Sequence, residues 1–158
     1  MQPRLLIQTK RRWRKMRNKS KDNLYLVIIG CGKVGANVAS RASSIGHNVV
    51  VIDKNEKAFE NLTVEFTGFT IFGDATEKDV LMEAKIDRAD YVFVLTEDDN
   101  TNFLISMACK YYFAVKKVIA RVYEPDNIQL FREYDVEVIS PTVLAIDKLS
   151  DFVVGDYK

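Results

Sequence analysis

The stretch LVIIGCGKVGANVA, residues 26–39, constrains the fold more than any other part of the sequence. A run of aliphatic residues, typical of a buried strand, leads into three glycines, and a helical pattern follows them. Gly30, Gly32 and Gly35 fit G-x-G-x-x-G. In that pattern the first glycine permits a tight turn, the second lets a pyrophosphate approach the backbone, and the third lets the helix pack against the sheet. The stretch predicts a phosphate-binding loop at a helix N-terminus.

An acidic residue follows at the distance that such a loop requires. The second apolar run, VVVID, ends with Asp53, which lies 23 residues after Gly30. A carboxylate there accepts hydrogen bonds from both hydroxyls of an adenosine ribose and repels a 2′-phosphate, which favours NAD or a plain adenine nucleotide over NADP. The alternative interpretation is a glycine-rich turn in which Asp53 only caps a helix.

Apolar runs and helical patterns alternate along the rest of the chain. The runs are mostly apolar on both faces, as in strands buried within a parallel sheet. They predict strands at 24–29, 48–52, 69–72, 91–95, 117–122 and 136–139. The segments between and after them predict helices at 33–45, 55–66, 77–84, 100–113, 125–134 and 141–154. The predicted fold class is α/β, a doubly wound, Rossmann-like six-stranded parallel sheet with helices on both faces.

Charge divides the chain at Asp22. Nine of the 23 Lys and Arg residues precede it, which leaves 14 against 22 acidic residues in the remainder, a net charge of −8. We therefore predict a flexible basic tail at 1–22 and a nucleotide-binding domain at 23–158 that includes a final C-terminal helix. The tail is interpreted either as a solvated segment or as an arm that contacts a membrane surface or an acidic partner. Nucleic acid is not an expected partner, because the acidic domain would repel it.

Further motifs follow the third, fourth and fifth predicted strands: FGDAT at 72–76, ADYVFVLTEDDNTN at 89–102 and IARVYEPDN at 119–127, with VEVISP at 136–141. Together with GCGKVG and VVVID, in this order, they make residues 24 to about 154 resemble the TrkA N-terminal, or KTN/RCK, domain family. The chain is most similar to the short, single-domain TrkA-like potassium transport regulatory proteins.

The resemblance implies roles for particular residues. It assigns the phosphate loop to Gly30, Cys31, Gly32, Lys33, Val34 and Gly35. It assigns the ribose to Asp53 with Lys54 beside it, and the adenine to Gly73, Asp74, Ala75 and Thr76. It assigns the edge of the pocket to Thr96 and Asn102, with the acidic turn at 97–99. Arg121 is expected near the dimer side of the site. Where the family often has arginine, this chain has Lys33. An arginine can bind two phosphate oxygens at once, whereas the lysine ammonium acts as a single point charge.

Structural interpretations stand beside several of these roles. Asp74 fits the capping box DATE with Glu77. The acidic turn before residue 100 fits a helix cap, with metal binding as the less favoured alternative, and Arg121 fits a structural ion pair. Cys31 is expected to be packed and unreactive. The one histidine, His47, precedes the second strand and is therefore expected at the sheet edge opposite the ligand.

The resemblance implies a regulatory subunit and not an enzyme, with no catalytic or metal residues. Its ligand is expected to be NAD(H), ATP, ADP or AMP, and its location the cytoplasm, peripheral at the inner face of the cell membrane. Expected partners are a separate potassium-conducting membrane protein, a second copy in a homodimer or larger ring, and a longer homologous regulator. The dimer surface is expected on the last helix and on a stripe of Phe103, Met107 and Tyr111.

Two other functions stay open at this point. One is a fragment of an NAD-dependent oxidoreductase, which shares the glycine loop and the ribose acid but needs a proton-transfer group that the sequence does not reveal. The other is an adaptor whose pocket is vestigial and binds nothing.

Overall fold

A computed structural model describes residues 23–155. The predicted basic tail at 1–22 lies outside the described residues. Within them the chain forms a six-stranded sheet in which every neighbouring pair of strands is parallel. The strands are β1 (Tyr25–Ile29), β2 (Asn48–Asp53), β3 (Phe69–Phe72), β4 (Tyr91–Val94), β5 (Val118–Arg121) and β6 (Glu137–Ile139).

The strand order is β3-β2-β1-β4-β5-β6, which confirms the predicted doubly wound, Rossmann-like sheet. The chain runs outward from β1 to β3, returns to the other side of β1, and runs outward again to β6. The order reverses between β1 and β4, and the helices that follow these two strands pack on opposite faces of the sheet, which leaves a crevice between the two connections. The sheet therefore has its switch point directly beside the glycine loop.

Five α-helices connect or follow the strands in the described part of the chain. They are α1 (Lys33–Ser44), α2 (Lys78–Glu83), α3 (Asp99–Met107), α4 (Ile128–Glu133) and α5 (Pro141–Val154). A π-helical turn, Ala108–Tyr112, continues α3, and a 3-10 turn, Pro125–Asn127, precedes α4. The last helix has its predicted bounds, because Ser140 accepts a hydrogen bond from the Val143 amide and Pro141 occupies the first turn.

Both faces of the sheet are buried, because side chains alternate along each strand. On β1, Leu26 and Ile28 pack with α1 on one face, while Val27 and Ile29 join a larger cluster on the other face. Helices α2, α3 and α4 supply that larger cluster with buried side chains such as Phe131. The apolar character of β1 on both faces thus follows from its central place in the sheet.

The helix predicted at 55–66 is wrong. Its place is taken by a 3-10 helix, Glu56–Asn61, after which Leu62 is extended. Serines of α1 compete for the backbone of the following segment: Ser40 Oγ accepts from the Thr63 amide at 3.1 Å and Ser43 Oγ from the Thr67 amide at 2.9 Å. These bonds satisfy donors that an α-helical ladder would have used.

Helix α5 differs from the other helices because its apolar side chains are not buried against the rest of the described chain. Every residue from Leu144 to Val154 is exposed, and these include Leu149 and Phe152. The stripe expected on α3 is partly covered within the chain, since the Phe103 ring makes edge-to-face contacts with Phe131 and Tyr134. Within residues 23–155, no helix is both long and apolar enough to span a bilayer.

Phe131 and Leu130 are adjacent residues of α4 that test where the core lies. The Phe131 side chain is 1% exposed and its ring lies 5.2 Å from that of Phe103, whereas Leu130 is 42% exposed. We expect Phe131→Ala to lower the free energy of unfolding by about 3–5 kcal/mol, because it leaves a cavity. Leu130→Ala is expected to cost less than about 1 kcal/mol. Urea unfolding followed by circular dichroism measures both, and equal losses would contradict this account of the core.

Candidate functional site

A cavity of about 910 Å³ opens at the carboxyl ends of the strands, at the switch point between β1 and β4. The polypeptide segments that follow β1, β2, β3 and β4 form its wall, together with the end of β5. Most of the residues predicted for the site lie in this wall. They are Gly30, Gly32, Lys33, Val34, Asp53, Lys54, Gly73, Asp74, Ala75, Thr76, Thr96 and Arg121.

The glycine loop has a conformation that two of its glycines make possible. Gly30 has φ +103°, in the region that side chains rarely adopt, and its amide donates to the Ile52 carbonyl of β2 at 2.8 Å. A Cβ atom on Gly35 would lie 1.9 Å from the Gly30 carbonyl oxygen. Close packing of α1 against the end of β1 therefore requires the absence of a side chain at residue 35.

Gly32 is different, because a Cβ atom there would meet no protein atom within 4 Å. The open space at this residue belongs to the cavity. Gly32 is also the N-cap of α1, where it supplies no side-chain hydrogen bond, and the first turn of α1 has no acidic residue. The amides of this turn and the positive end of the helix dipole are thus available to an anion.

Asp53 ties the loop to β2. Its Oδ2 accepts from the Cys31 amide at 2.6 Å, and its Oδ1 accepts from the Asn55 amide at 2.8 Å. Each carboxylate oxygen can accept more than one hydrogen bond, so both retain capacity for hydroxyl donors from the cavity. The same side chain therefore shapes the loop and presents an acceptor surface to the site.

Cys31 lies outside the cavity wall, with a fully buried side chain. Burial, and then the Asp53 carboxylate, raises the pKa of its thiol to about 11, so it is protonated at neutral pH and unsuited to nucleophilic attack. Its carbonyl accepts from Asn61 Nδ2 at 3.1 Å. Asn61 lines the cavity and was missed in the sequence, because the segment that carries it was predicted as a regular helix.

Asp74 closes a local turn and also faces the cavity. Its Oδ1 accepts from the amide of Thr76 at 2.9 Å and from the Thr76 hydroxyl at 2.7 Å. These bonds, and more weakly the Lys54 charge, hold the pKa of Asp74 below its usual value. The expected capping box does not form as such, since α2 begins at Lys78 and Glu77 makes no side-chain cap.

Asn102 stands behind the wall and not in it. It is completely buried, and Oδ1 accepts from the Thr96 amide at 3.1 Å and from the Thr96 hydroxyl at 2.5 Å. Its Nδ2 donates to the carbonyls of Thr96 at 3.0 Å and Arg121 at 2.9 Å. Asn102 therefore has no free polar atom for a ligand, and it holds Thr96 in the wall by joining α3 to the ends of β4 and β5.

Arg121 is bound to carbonyls and not to a carboxylate. Its guanidinium donates to the carbonyls of Leu95 and Thr96 and lies over the Tyr123 ring, 4.9 Å from the centroid. The ion-pair interpretation is thus replaced by a cap on the end of β4. Arg121 also lines the cavity.

The acidic turn after β4 caps α3 as expected. Asp98 Oδ1 accepts from the Thr101 amide at 2.7 Å, and Asp99 accepts from the amides of Tyr123 and Glu124 and from Asn127 Nδ2. Among residues 23–155, no group of three or more histidine, cysteine or acidic side chains is arranged to hold a metal ion.

Glu97 and Asp98, from the acidic turn expected at the edge of the pocket, line the cavity. Polar residues that the sequence did not single out also line it, namely Asn55, Lys57 and Asn61 on the β2 side and Thr101 on the β4 side. Gly35 supports the wall from behind, as Cys31 and Asn102 do. His47 lies at the opposite edge, where its Nδ1 accepts from the Leu24 amide at 3.3 Å.

The comparison with known proteins agrees with this geometry. The TrkA-N domain model matches residues 26–141. The Trk system potassium uptake protein TrkA of Streptomyces coelicolor is 29% identical over 126 residues, which are 80% of this chain and 56% of that protein. A TrkA homolog of Methanothermobacter thermautotrophicus is 34% identical over 131 residues, 82% of this chain and 60% of that protein. The chain thus spans little more than half the length of these relatives.

Solved structures with the same fold include two of GsuK with a nucleotide. The GsuK channel bound to NAD is 27% identical with a TM-score of 0.69, over 84% of this chain and 23% of that one. GsuK bound to ADP is 26% identical with a TM-score of 0.71, over 84% of this chain and 34% of that one.

The two glycines that differ most in their surroundings give a test of the loop. We expect Gly35→Ala to lower the free energy of unfolding by at least about 3 kcal/mol, because its methyl group would collide with the Gly30 carbonyl. Gly32→Ala is the matched control and is expected to cost no more than about 1 kcal/mol, since its methyl group enters open space. Thermal unfolding of both variants measures the difference, and a stable Gly35→Ala protein would contradict the close approach.

Proposed function

Because the chain belongs to the TrkA-N domain family, we propose that it is a nucleotide-binding regulatory subunit of a potassium transport system and not an enzyme. The observation that carries the proposal is the cavity at the switch point, where an unobstructed Gly32 and the open acceptor capacity of Asp53 face the same space. The transport role in this proposal is inferred from the similarity to relatives that are named as potassium uptake proteins.

The proposed ligand is NAD(H) or an adenine nucleotide, that is ATP, ADP or AMP. Its phosphates lie on residues 32–35 at the N-terminus of α1, its ribose hydroxyls donate to Asp53, and its adenine lies against residues 74–76. Similarity to the GsuK structures bound to NAD and to ADP supports this class of ligand. Two nucleotides with different affinities for two states of the assembly would form the signal.

The proposed partners are a second copy of the chain and a potassium-conducting membrane protein. A helix as apolar and uncovered as α5 is stable in water when another surface covers it. A second copy supplies that surface in a homodimer or larger ring, and a longer homologous regulator is the alternative partner. Movement between subunits then gates the separate membrane protein.

The proposed location is the cytoplasmic side of the cell membrane, at its inner face. Residues 23–158 form the nucleotide-binding domain in this proposal. The basic residues in 1–22 contact the membrane surface or the acidic surface of the partner, which agrees with their charge. Nucleic acid is not a proposed ligand, because the chain from Asp22 onward has a net charge of −8 and would repel it.

A regulatory function fits the cavity better than catalysis does. Neither histidine nor cysteine is found among the described residues that line it, and the nearby Cys31 thiol is buried with a raised pKa. Two of the lining carboxylates, Asp74 and Asp98, accept hydrogen bonds from Thr76 and Thr101, which lower the pKa of each carboxyl group and so favour its charged form. The site therefore binds and orients without an evident proton-transfer group.

Calorimetric titration of nucleotide-stripped protein with NAD, NADH, ATP, ADP and AMP tests the proposal. We expect at least one of them to bind, and Asp53→Ala to weaken that binding by about 100-fold or more through loss of the ribose acceptors. Asp53 also holds the loop, so Gly32→Ala is a second variant that blocks phosphate approach without a contact in the free protein. We expect it to lose binding as well.

Asp126→Asn is the matched control for these titrations, since Asp126 is exposed and lies outside the cavity wall. Its affinity should equal that of the unsubstituted protein. Absence of binding by all five nucleotides would overturn the proposal and favour an adaptor with a vestigial pocket.

The proposed dimer gives a separate expectation for α5. Light scattering after size exclusion should give a dimer or larger assembly, and Leu149→Glu with Phe152→Glu should shift it to the monomer, because charge replaces the apolar contact. Met82→Glu changes a similarly exposed apolar residue of α2 and should leave the assembly intact. A monomer before any substitution would contradict the dimer.

A further inference from the structure

The strand order gives the cavity two different ends, one on each side of β1. The inference about its ligand rests on the proposed nucleotide binding. β2 and β3 lie on one side of β1 and provide Asp53 and Asp74, the proposed ribose and adenine end. β4 and β5 lie on the other side and provide Glu97, Asp98 and Arg121. The glycine loop follows β1, between the two ends. A phosphate chain that starts from the ribose and crosses the loop therefore extends toward the β4 end.

The β4 end of the cavity is acidic. Glu97 and Asp98 both line it, and both also line an adjoining hollow of about 530 Å³ in which Asp99 and Glu124 take part. Asp98 is held in its charged form, since hydrogen bonds from Thr101 lower the pKa of its carboxyl group. A ligand group that enters this end meets at least two carboxylates.

The cation at the β4 end is Arg121, and its guanidinium already has partners within the protein. Arg121 donates to the carbonyls of Leu95 and Thr96, and its guanidinium stacks on the Tyr123 ring. Lys54, which follows β2, has only a weak electrostatic effect on the carboxyl groups of Asp74 and Asp98. Lys33, in the first turn of α1, is placed for phosphates on the loop itself. Of the cations in the described wall, Lys33 lies in the loop and Lys54 and Lys57 follow β2, so that Arg121 alone belongs to the β4 end.

We infer that Glu97 and Asp98 are specificity-determining residues that exclude a third phosphate, so that the cavity takes an adenosine diphosphate unit, free or within NAD, in preference to ATP.

The physical reason is the charge that each ligand brings to the β4 end. The γ-phosphate of ATP adds negative charge beside Glu97 and Asp98. Both side chains are exposed, so solvent and salt screen this repulsion, and the preference that it produces is moderate and strongest at low salt. The corresponding part of NAD is a nicotinamide riboside, which carries no negative charge and has hydroxyl groups that donate to carboxylates. ADP ends before this region. The acidic end therefore tolerates ADP and NAD and opposes ATP.

Titration calorimetry of the full, nucleotide-stripped chain tests this with ADP, NAD and ATP as separate ligands, in EDTA to remove divalent cations. We expect ADP or NAD to bind at least about tenfold more tightly than ATP. In the double variant Glu97→Gln with Asp98→Asn, we expect the preference to fall to within about threefold. The Asp98→Asn substitution retains a side-chain oxygen for the Thr101 amide, so the cap of α3 persists while the charge is removed.

The matched control removes two acidic charges elsewhere, by Glu65→Gln with Asp126→Asn. Both residues are exposed and outside the cavity wall, so this variant should keep the tenfold preference. ATP binding as tightly as ADP and NAD, or an unchanged preference in the Glu97/Asp98 variant, would overturn the inference while leaving nucleotide binding intact. Failure of all three ligands to bind would overturn the proposed function together with the inference.

The ADP and NAD arms distinguish the two sources of the diphosphate unit. Tighter binding of NAD than of ADP would identify the dinucleotide and place the nicotinamide riboside at the β4 end. Tighter binding of ADP would identify the free diphosphate. Either order, with ATP weaker than both, supports exclusion of the third phosphate by Glu97 and Asp98.

Discussion

The carbonyl oxygen of Gly30 occupies the space that a side chain at residue 35 would need, and the rest of the site depends on this contact. With 1.9 Å between that oxygen and an ideal Cβ, helix α1 can start where it does only because residue 35 has no side chain. Its N-terminus then points its free amides into the crevice at the switch point. Asp53 fixes the same turn from the side through the Cys31 amide. The contact between Gly30 and Gly35 therefore determines both the packing of α1 and the shape of the site.

The cavity is pre-organised by side chains whose hydrogen-bonding groups already have partners within the protein. Asn102 uses both ends of its amide to hold Thr96, and Arg121 caps the carbonyls at the end of β4. Groups held in this way lose little conformational entropy when a ligand arrives. The bonds that hold Thr96 in place also engage Arg121, the cation at the β4 end of the cavity. The hydrogen bonds that support the wall therefore also affect the charge that a ligand meets there.

Hydrogen bonds link the start of α3, next to the wall residue Asp98, to the start of α5 through Tyr123. Asp99, at the start of α3, accepts from the amides of Tyr123 and Glu124, and the Tyr123 carbonyl in turn accepts from the Thr142 hydroxyl at 2.6 Å. Thr142 lies in the first turn of α5, the helix with an uncovered apolar surface. These contacts place the segment beside the cavity next to α5, the helix of the proposed subunit contact.

The sequence by itself determined the alternation of six strands with helical segments, the glycine loop and the acid at the end of β2. These features are local: apolar periodicity and glycine spacing act within a few residues and fix a parallel sheet with its crevice beside the loop. Tertiary structure alone decided that residues 56–61 form a 3-10 turn, that Asn61 reaches the loop, and that Asn102 stands behind the wall. Each outcome depends on hydrogen-bond partners distant in sequence, such as Ser40 of α1, which compete with local propensity and leave no local pattern.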